Sequence, residues 1–314
     1  MQKIEYYKYG GPELMRLEEV EPPTPGKGRV LVRVRAAAAN PMDWKIRNGA
    51  VKIMTGRRFP RGLGHDFAGI VVAAGEGVTS FKPGDEVFGA ISVRDSGAFA
   101  EMVAAAENQL VKKPAGLSYE EVAVLPTVGV TALQSVIGKR GLQPGQSVFI
   151  NGCLGGVGRA AAQIALMHGA SVAGSCRDAA APDARALGID PVVGFDFDTA
   201  PLKGRFDLVF DTAGTMQFRA ARLLLKPGGR IIDINMTPAK MPRAIFSRAF
   251  QAVNAKYTPA ALETISQAAA QGKLAIPVAR GVPLAQAIGA LTELERTHTP
   301  KGGKLVIVPQ AATT

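Results

Sequence analysis

Cysteine is scarce in this chain: Cys153 and Cys176 are the only two in 314 residues. Two thiols build no disulfide framework, and the four-cysteine spacing of a structural zinc lobe is absent. Tryptophan occurs once, at Trp44. No stretch approaches the ~20 apolar residues of a membrane span. Met1 to Gly11 lacks the apolar core of a secretory signal, so a cytoplasmic protein with no membrane span is expected. Internal repeats and low-complexity tails are missing too. Acidic residues are the minority among the charges, Asp+Glu 26 against Lys+Arg 37, for a net charge of +11. Such a balance attracts anionic cofactors, adheres to nucleic acid or membrane surfaces, or simply keeps a protein soluble. The basic residues are scattered apart from Lys52, Arg57, Arg58 and Arg61. A solvated surface is therefore the expectation for most of them, and no nucleic-acid partner is expected.

What is present describes an α/β protein of two domains. Over the first ~118 residues, short strands alternate with Gly/Pro turns, the pattern of a small β-barrel. Val30, Val32 and Val34 alternate with Arg33 and Arg35, the period of a half-buried strand. Pro41 and Gly49 bracket a helical turn; 62–74 reads as a loop feeding a strand, 81–88 as a turn followed by a strand, and 97–103 as a further strand. From Ser118 the pattern changes. Ser118-Tyr-Glu-Glu121 is a capping box, after which helices alternate with strands at 147–150, 171–175, 206–210 and 230–234. That alternation predicts a doubly wound parallel sheet. Helix 258–271, strand 276–279, helix 284–296 and strand 304–308 complete the chain, and the last strand fits either domain by pattern.

The densest signal lies at 147–178. An apolar strand enters a turn holding Gly152, Gly155, Gly156 and Gly158, a small-residue helix follows over 159–168, and a second strand starts at Ser171. This is the βαβ unit of a dinucleotide site. Gly155 lets backbone approach a pyrophosphate, Gly158 lets helix pack on strand, and the helix N-terminus offers free N–H groups to phosphate.

The chain also resembles the medium-chain dehydrogenase/reductase superfamily, in its zinc-free quinone oxidoreductase (zeta-crystallin-like) branch. The resemblance rests on Tyr9-Gly-Gly-Pro12, Asn40-Pro-Met-Asp-Trp-Lys-Ile-Arg-Asn-Gly49 and Gly64-His-Asp-Phe-Ala-Gly69. It continues through Lys82-Pro-Gly-Asp-Glu-Val87, Leu125-Pro-Thr-Val-Gly-Val-Thr-Ala132, Gly152-Cys-Leu-Gly-Gly-Val-Gly158, Leu225-Lys-Pro-Gly-Gly229 and Gly303-Lys304. It implies a GroES-like domain over 1–118 and 273–314, a Rossmann NADP-binding domain over 119–272, a cleft between them, and often a homodimer. Zinc-dependent members carry a cysteine where this chain has Asn40, and a His-Glu pair where it has His65-Asp66. Asn40 is no thiolate substitute, so no metal is expected. Without a Lewis acid the expected acceptor is a quinone, or alternatively an enone, alkenal or enoyl thioester. A non-catalytic NADPH-binding redox sensor, structural or RNA-binding component is a third reading.

Cofactor choice turns on the end of the second strand. Ser175 and Cys176 are small and neutral there, and Arg177 is placed to pair with a 2′-phosphate, which predicts NADPH. Asp178 is the rival as a ribose ligand, with capping of the next helix its expected duty. The resemblance adds Thr131, Gly156, Val157, Gly214 and Asn235 as cofactor contacts. It places Asn40, Trp44, Lys45 and His65 in the substrate pocket, with Trp44 either stacking on a quinone or packing beneath its helix. Many quinone reductases of this branch have tyrosine in place of Lys45, so no residue is assigned as a catalytic acid.

Overall fold

The computed structural model describes residues 1–235, 247, 249–253, 255–297 and 302–309. Of the expected C-terminal barrel segment, 298–301 and 310–314 lie outside these. The chain divides into two compact units, 1–127 with 257–314, and 128–256. In chain order the first stretch holds β1 (Gln2–Tyr6), β2 (Arg16–Glu19), β3 (Arg29–Ala38), α1 (Pro41–Arg47), α2 (Lys52–Thr55), β4 (Arg61–Gly62) and β5 (Asp66–Ala74). After these come β6 (Glu86–Ala90), β7 (Met102–Ala106), β8 (Leu110–Lys112) and α3 (Tyr119–Ala123). Next come α4 (Pro126–Ile137), β9 (Ser147–Asn151), α5 (Gly156–Met167), β10 (Ser171–Ser175), α6 (Ala181–Ala186), β11 (Val192–Val193) and β12 (Phe206–Asp211). The chain ends with α7 (Phe218–Leu224), β13 (Leu225–Asp233), β14 (Phe250–Ala252), α8 (Pro259–Ala270), β15 (Val278–Pro283), α9 (Leu284–Thr297) and β16 (Lys304–Val308).

The first unit is built on a sheet ordered β15-β16-β3-β5-β6-β8, with β7 also on β3, beside a smaller β2-β1-β4 sheet. The alternation in β3 is realised: Val30, Val32 and Val34 are buried, and Arg33 and Arg35 are half-exposed. Those valines share a core with Phe67, Val71, Phe99, Leu284, Leu291 and Ile307. Each such side chain contributes about 1.5–3 kcal/mol by burial. β16 pairs antiparallel with β3, which decides its membership. The division differs from the expected limits at 118 and 273. α3 packs on β3, β5 and β6, and α8 packs on β8, so both helices join the barrel although their pattern groups them with the βα alternation. The strand expected at 97–103 starts only at Met102. Before it, Gly97 and Phe99 donate their N–H groups to Gly64 and Leu63 carbonyls at 3.0 and 2.9 Å, outside any regular ladder.

The second unit is a parallel sheet ordered β11-β10-β9-β12-β13-β14. Chain order runs outward one way from β9 to β11 and the other way from β12 to β14. The strand order therefore reverses between β9 and β12, where doubly wound sheets bind ligands. α5 buries Ala160, Ala161, Ala162, Ile164 and Ala165, and Gly158 makes that closeness possible: a Cβ there would lie 2.1 Å from the Gly152 carbonyl oxygen.

Candidate functional site

Four polar residues stand side by side at the carboxyl ends of neighbouring strands in the second unit. Ser175 of β10 is in register with Asn151 of β9, Asn151 with Asp211 of β12, and Asp211 with Asp233 of β13. Their hydrogen bonds organise the turns above them. Ser175 donates its hydroxyl to Asn151 Oδ1 at 2.5 Å, and Asn151 Nδ2 donates to Asp211 Oδ1 at 2.7 Å. Asp211 also accepts from the Gly214 and Met216 N–H groups at 2.8 and 3.0 Å. Burial is the main force raising the Asp211 carboxyl above its ordinary range; the nearby Asp233 charge adds to it and the three hydrogen bonds oppose it. Nothing in the motif spacing marked Asn151 or Asp211. The available signal was a polar residue directly after an apolar strand, at Asn151 and again at Asp211.

The glycine turn sits on this row. Gly152 adopts φ +82°, and its N–H reaches the Ser175 carbonyl at 3.1 Å. Gly155 is exposed, and a Cβ there would meet only the Gly152 oxygen, at 3.3 Å. Gly156 and Val157 are half-buried and open α5. Gly214 and Asn235 meet: a Cβ on Gly214 would lie 2.6 Å from Asn235 Cβ. Thr131 is buried in α4.

At the end of β10, Ser175 is buried and its hydroxyl bonds Asn151, which braces the turn. One expectation there needs correction. Asp178 caps no helix: α6 starts from Ala180 without a side-chain cap, and Asp178 opens a short 3₁₀ turn. Both Arg177 and Asp178 are exposed and line an open cleft of about 410 Å³ with Cys176, Gly194, Phe195, Asp196 and Phe197.

In the first unit, Asn40, Asp66 and Lys304 converge because sheet order places β16, β3 and β5 side by side. Asn40 follows β3, Asp66 opens β5 and Lys304 opens β16. All three are buried. Lys304 Nζ donates to Asn40 Oδ1, and Asn40 Nδ2 donates to Asp66 Oδ2 at 3.0 Å. One amide thus separates a buried ammonium from a buried carboxylate. Thr127, at the start of α4, gives Asp66 its N–H at 3.0 Å and its hydroxyl at 2.7 Å. The helix N-terminus is a natural seat for that charge. The Tyr257 hydroxyl lies 3.2 Å from Thr127 Oγ1; since Thr127 spends its hydrogen on Asp66, Tyr257 is the donor. Burial drives the Asp66 carboxyl up and the Lys304 ammonium down, and their mutual attraction opposes both shifts. Burial, then the Asp66 charge, also raises the Tyr257 phenol.

Beside this array, Asp43 of α1 accepts from the Asn40 N–H and holds His65 Nδ1, both at 2.7 Å. His65 Nε2 is buried with no hydrogen-bond partner among the described residues. Thus Asn40 and His65 are interior groups of the polar array. Trp44 is half-buried and packs on the barrel core, its packing role; Lys45 is half-buried. Lys304, Thr127 and Tyr257 had no assigned role in the sequence reading, although Gly303-Lys304 and Leu125-Pro-Thr127 stood among the motifs. Arg61 is also corrected: it is buried, with its guanidinium on the Thr55, Val93 and Arg94 carbonyls, while Lys52, Arg57 and Arg58 are exposed.

A GroES-like barrel joined to a dinucleotide-type parallel sheet defines a two-domain oxidoreductase fold. Residues 26–115 match the alcohol dehydrogenase GroES-like domain, and 187–307 match the zinc-binding dehydrogenase family. A chloroplast envelope quinone oxidoreductase homolog of Arabidopsis thaliana is 30% identical over 98% of both chains. The quinone oxidoreductase of Coxiella burnetii superposes with a TM-score of 0.89 at 28% identity, covering 99% of each chain. The Escherichia coli quinone oxidoreductase, solved with NADPH, shares the fold at a TM-score of 0.84 and 24% identity, over 98% of this chain and 100% of that one. The chain belongs to the quinone oxidoreductase family of the medium-chain dehydrogenase/reductases. Among the described residues no helix is long and apolar enough to cross a membrane.

One of the matched families is named for zinc, and the residues here do not fit that ion. Both ends of the Asn40 amide are committed, both Asp66 oxygens accept hydrogen bonds, and the Lys304 ammonium sits against Asn40, where its charge repels a dication. His65 Nε2 alone is uncommitted, and one imidazole does not hold zinc.

Proposed function

We propose that the protein is a zinc-independent oxidoreductase that transfers a hydride from NADPH to a quinone, acting as a cytoplasmic homodimer. NADPH supplies the hydride when bound. The glycine turn at Gly152, Gly155, Gly156, Val157 and Gly158 would hold its pyrophosphate, with Thr131, Gly214 and Asn235 as further contacts. The observation that carries the choice of NADPH is Arg177, exposed at the strand end and facing an open cleft. A guanidinium there suits a 2′-phosphate. The acceptor is taken from the family. On the substrate side, Lys45 would stabilise the oxyanion that forms on the reduced quinone.

The test measures both cofactors against two variants, with NADPH oxidation followed over a quinone panel and an enone panel. Arg177→Ala should weaken NADPH by roughly ten- to a hundredfold, about 1.5–3 kcal/mol for a hydrogen bond to a charged group, and leave NADH unchanged. The loss should shrink as salt rises. A wild type that prefers NADH, with selective loss of NADH in Asp178→Ala, overturns the cofactor assignment. Turnover of enones but not quinones overturns the acceptor.

A further inference from the structure

The chain's two cysteines come from different segments of one βαβ unit and meet at the nucleotide edge of the second unit. Cys153 is buried in the glycine turn, and Cys176 lies one residue past β10 on the wall of the 410 Å³ cleft. The Cys153 N–H donates to the Ser175 carbonyl at 3.0 Å, so the two backbones are tied one peptide from Cys176. Gly174 makes the approach possible: a Cβ there would fall 2.7 Å from Cys153 Cβ and 3.0 Å from its Sγ. The Cys153 side chain therefore lies across β10, beside Cys176.

We propose that Cys153 and Cys176 are an oxidant-responsive pair whose disulfide distorts the glycine turn and weakens dinucleotide binding. The proposal rests on the nucleotide reading of that turn. The thiols are unequal. Burial and donation of its hydrogen toward Cys176 hold the Cys153 thiol up at about 12. Burial raises Cys176 too, but the hydrogen bond it accepts from Cys153 opposes that rise. Cys176 is thus the easier thiolate, and it is the one on the cleft.

With hydrogen peroxide as oxidant, the Cys176 sulfur attacks one peroxide oxygen. An S–O bond forms, the O–O bond breaks, and the departing hydroxide takes the thiol proton as water. Cys153 then attacks the sulfenic sulfur: the S–S bond forms, the S–O bond breaks, and a second water leaves with the Cys153 proton. The thiols lose two electrons and the peroxide gains them. Closing two sulfurs to roughly 2.05 Å draws Cys153, and the Gly152–Gly155 backbone with it, toward β10. Displacement of a ligand cradle on the order of 1 Å is enough to cost affinity.

The full-length protein, reduced and after hydrogen peroxide, is examined by intact mass, by thiol titration in denaturant, and by NADPH titration. Expected are loss of two hydrogens, disappearance of both thiols, and a roughly tenfold or greater fall in NADPH affinity that dithiothreitol reverses. Bound NADPH should slow the oxidation. Cys153→Ala, compared with itself before oxidant, should stop at a dimedone-trappable sulfenic acid on Cys176 and form no disulfide. Thiols that remain titratable, or a disulfide that leaves NADPH affinity unchanged, overturn the proposal. Reduced protein that binds no NADPH refutes the nucleotide reading instead, and the mass measurement still reports whether the pair closes.

Discussion

Replacing Lys304 with methionine tests the buried polar array most directly. The substitution keeps the length of the stem and removes the charge. Lys304 is 7% exposed and Asp66 is fully buried, so solvent does little to compensate either charge. The variant loses the hydrogen bond to Asn40 Oδ1, strands that oxygen, and leaves Asp66 without its nearest cation. Breaking a buried charge arrangement from one side costs about 3–5 kcal/mol. For a unit of this size that is a fall in Tm on the order of 10 °C. Asp66 keeps three donors, from Asn40 and Thr127, and its other escape is to take up a proton. The pH dependence follows. The Asp66 folded-state pKa already lies above its unfolded value, so its contribution is fully present below the unfolded pKa and is lost as pH rises through the folded one. Lys304 normally pulls that pKa down, so its removal moves the loss to higher pH. The deficit of Lys304→Met should therefore be small in acid and grow towards neutral and alkaline pH. Urea unfolding at about pH 5 and about pH 8 reads this out. The fluorescence of Trp44, the single tryptophan, reports on this unit because it packs on the barrel core. Asp66→Asn and the double variant complete a cycle, with an expected coupling of about 0.5–3 kcal/mol. A loss under about 1 kcal/mol that is independent of pH, with additive variants, would refute the reasoning.

Two substitutions in the glycine turn should separate fold from ligand. Gly158→Ala puts a Cβ 2.1 Å from backbone oxygen and should destabilise the second unit by about 1–3 kcal/mol; an unchanged Tm would contradict the packing argument. Gly155→Val brings in a Cβ that meets only one atom, at 3.3 Å, and should fold while losing NADPH; undiminished affinity would show that the phosphates bind elsewhere. Prolonged treatment with a strong chelator should leave activity intact, and stoichiometric zinc in purified protein would sink the zinc-free reading.

Local pattern carried much of the fold. The valines of β3, the capping box at Ser118 and the strand–turn–helix run around Gly152 to Gly158 each concern residues within a few positions of one another. Period, cap and turn chemistry act at that range. The polar partnerships were much less legible. Asn40, His65 and Asp66 drew attention in the sequence, but nothing near them named Lys304, which is 264 residues from Asn40, or Tyr257, which is 130 from Thr127. Arg61 read only as a member of a basic cluster with Lys52, Arg57 and Arg58, and its enclosure by the Thr55, Val93 and Arg94 carbonyls had no local signature.

The sequence by itself determined most of the elements, the glycine-rich turn and the two-part architecture, because hydrophobic period and glycine spacing are properties of contiguous chain. Only the tertiary structure decided which buried polar groups became partners. The order β16-β3-β5 sets Lys304, Asn40 and Asp66 in one line, and the order β10-β9-β12 does the same for Ser175, Asn151 and Asp211. A buried donor or acceptor must find a partner once water is gone. Which partner it finds depends on strand order, and no local pattern encodes strand order.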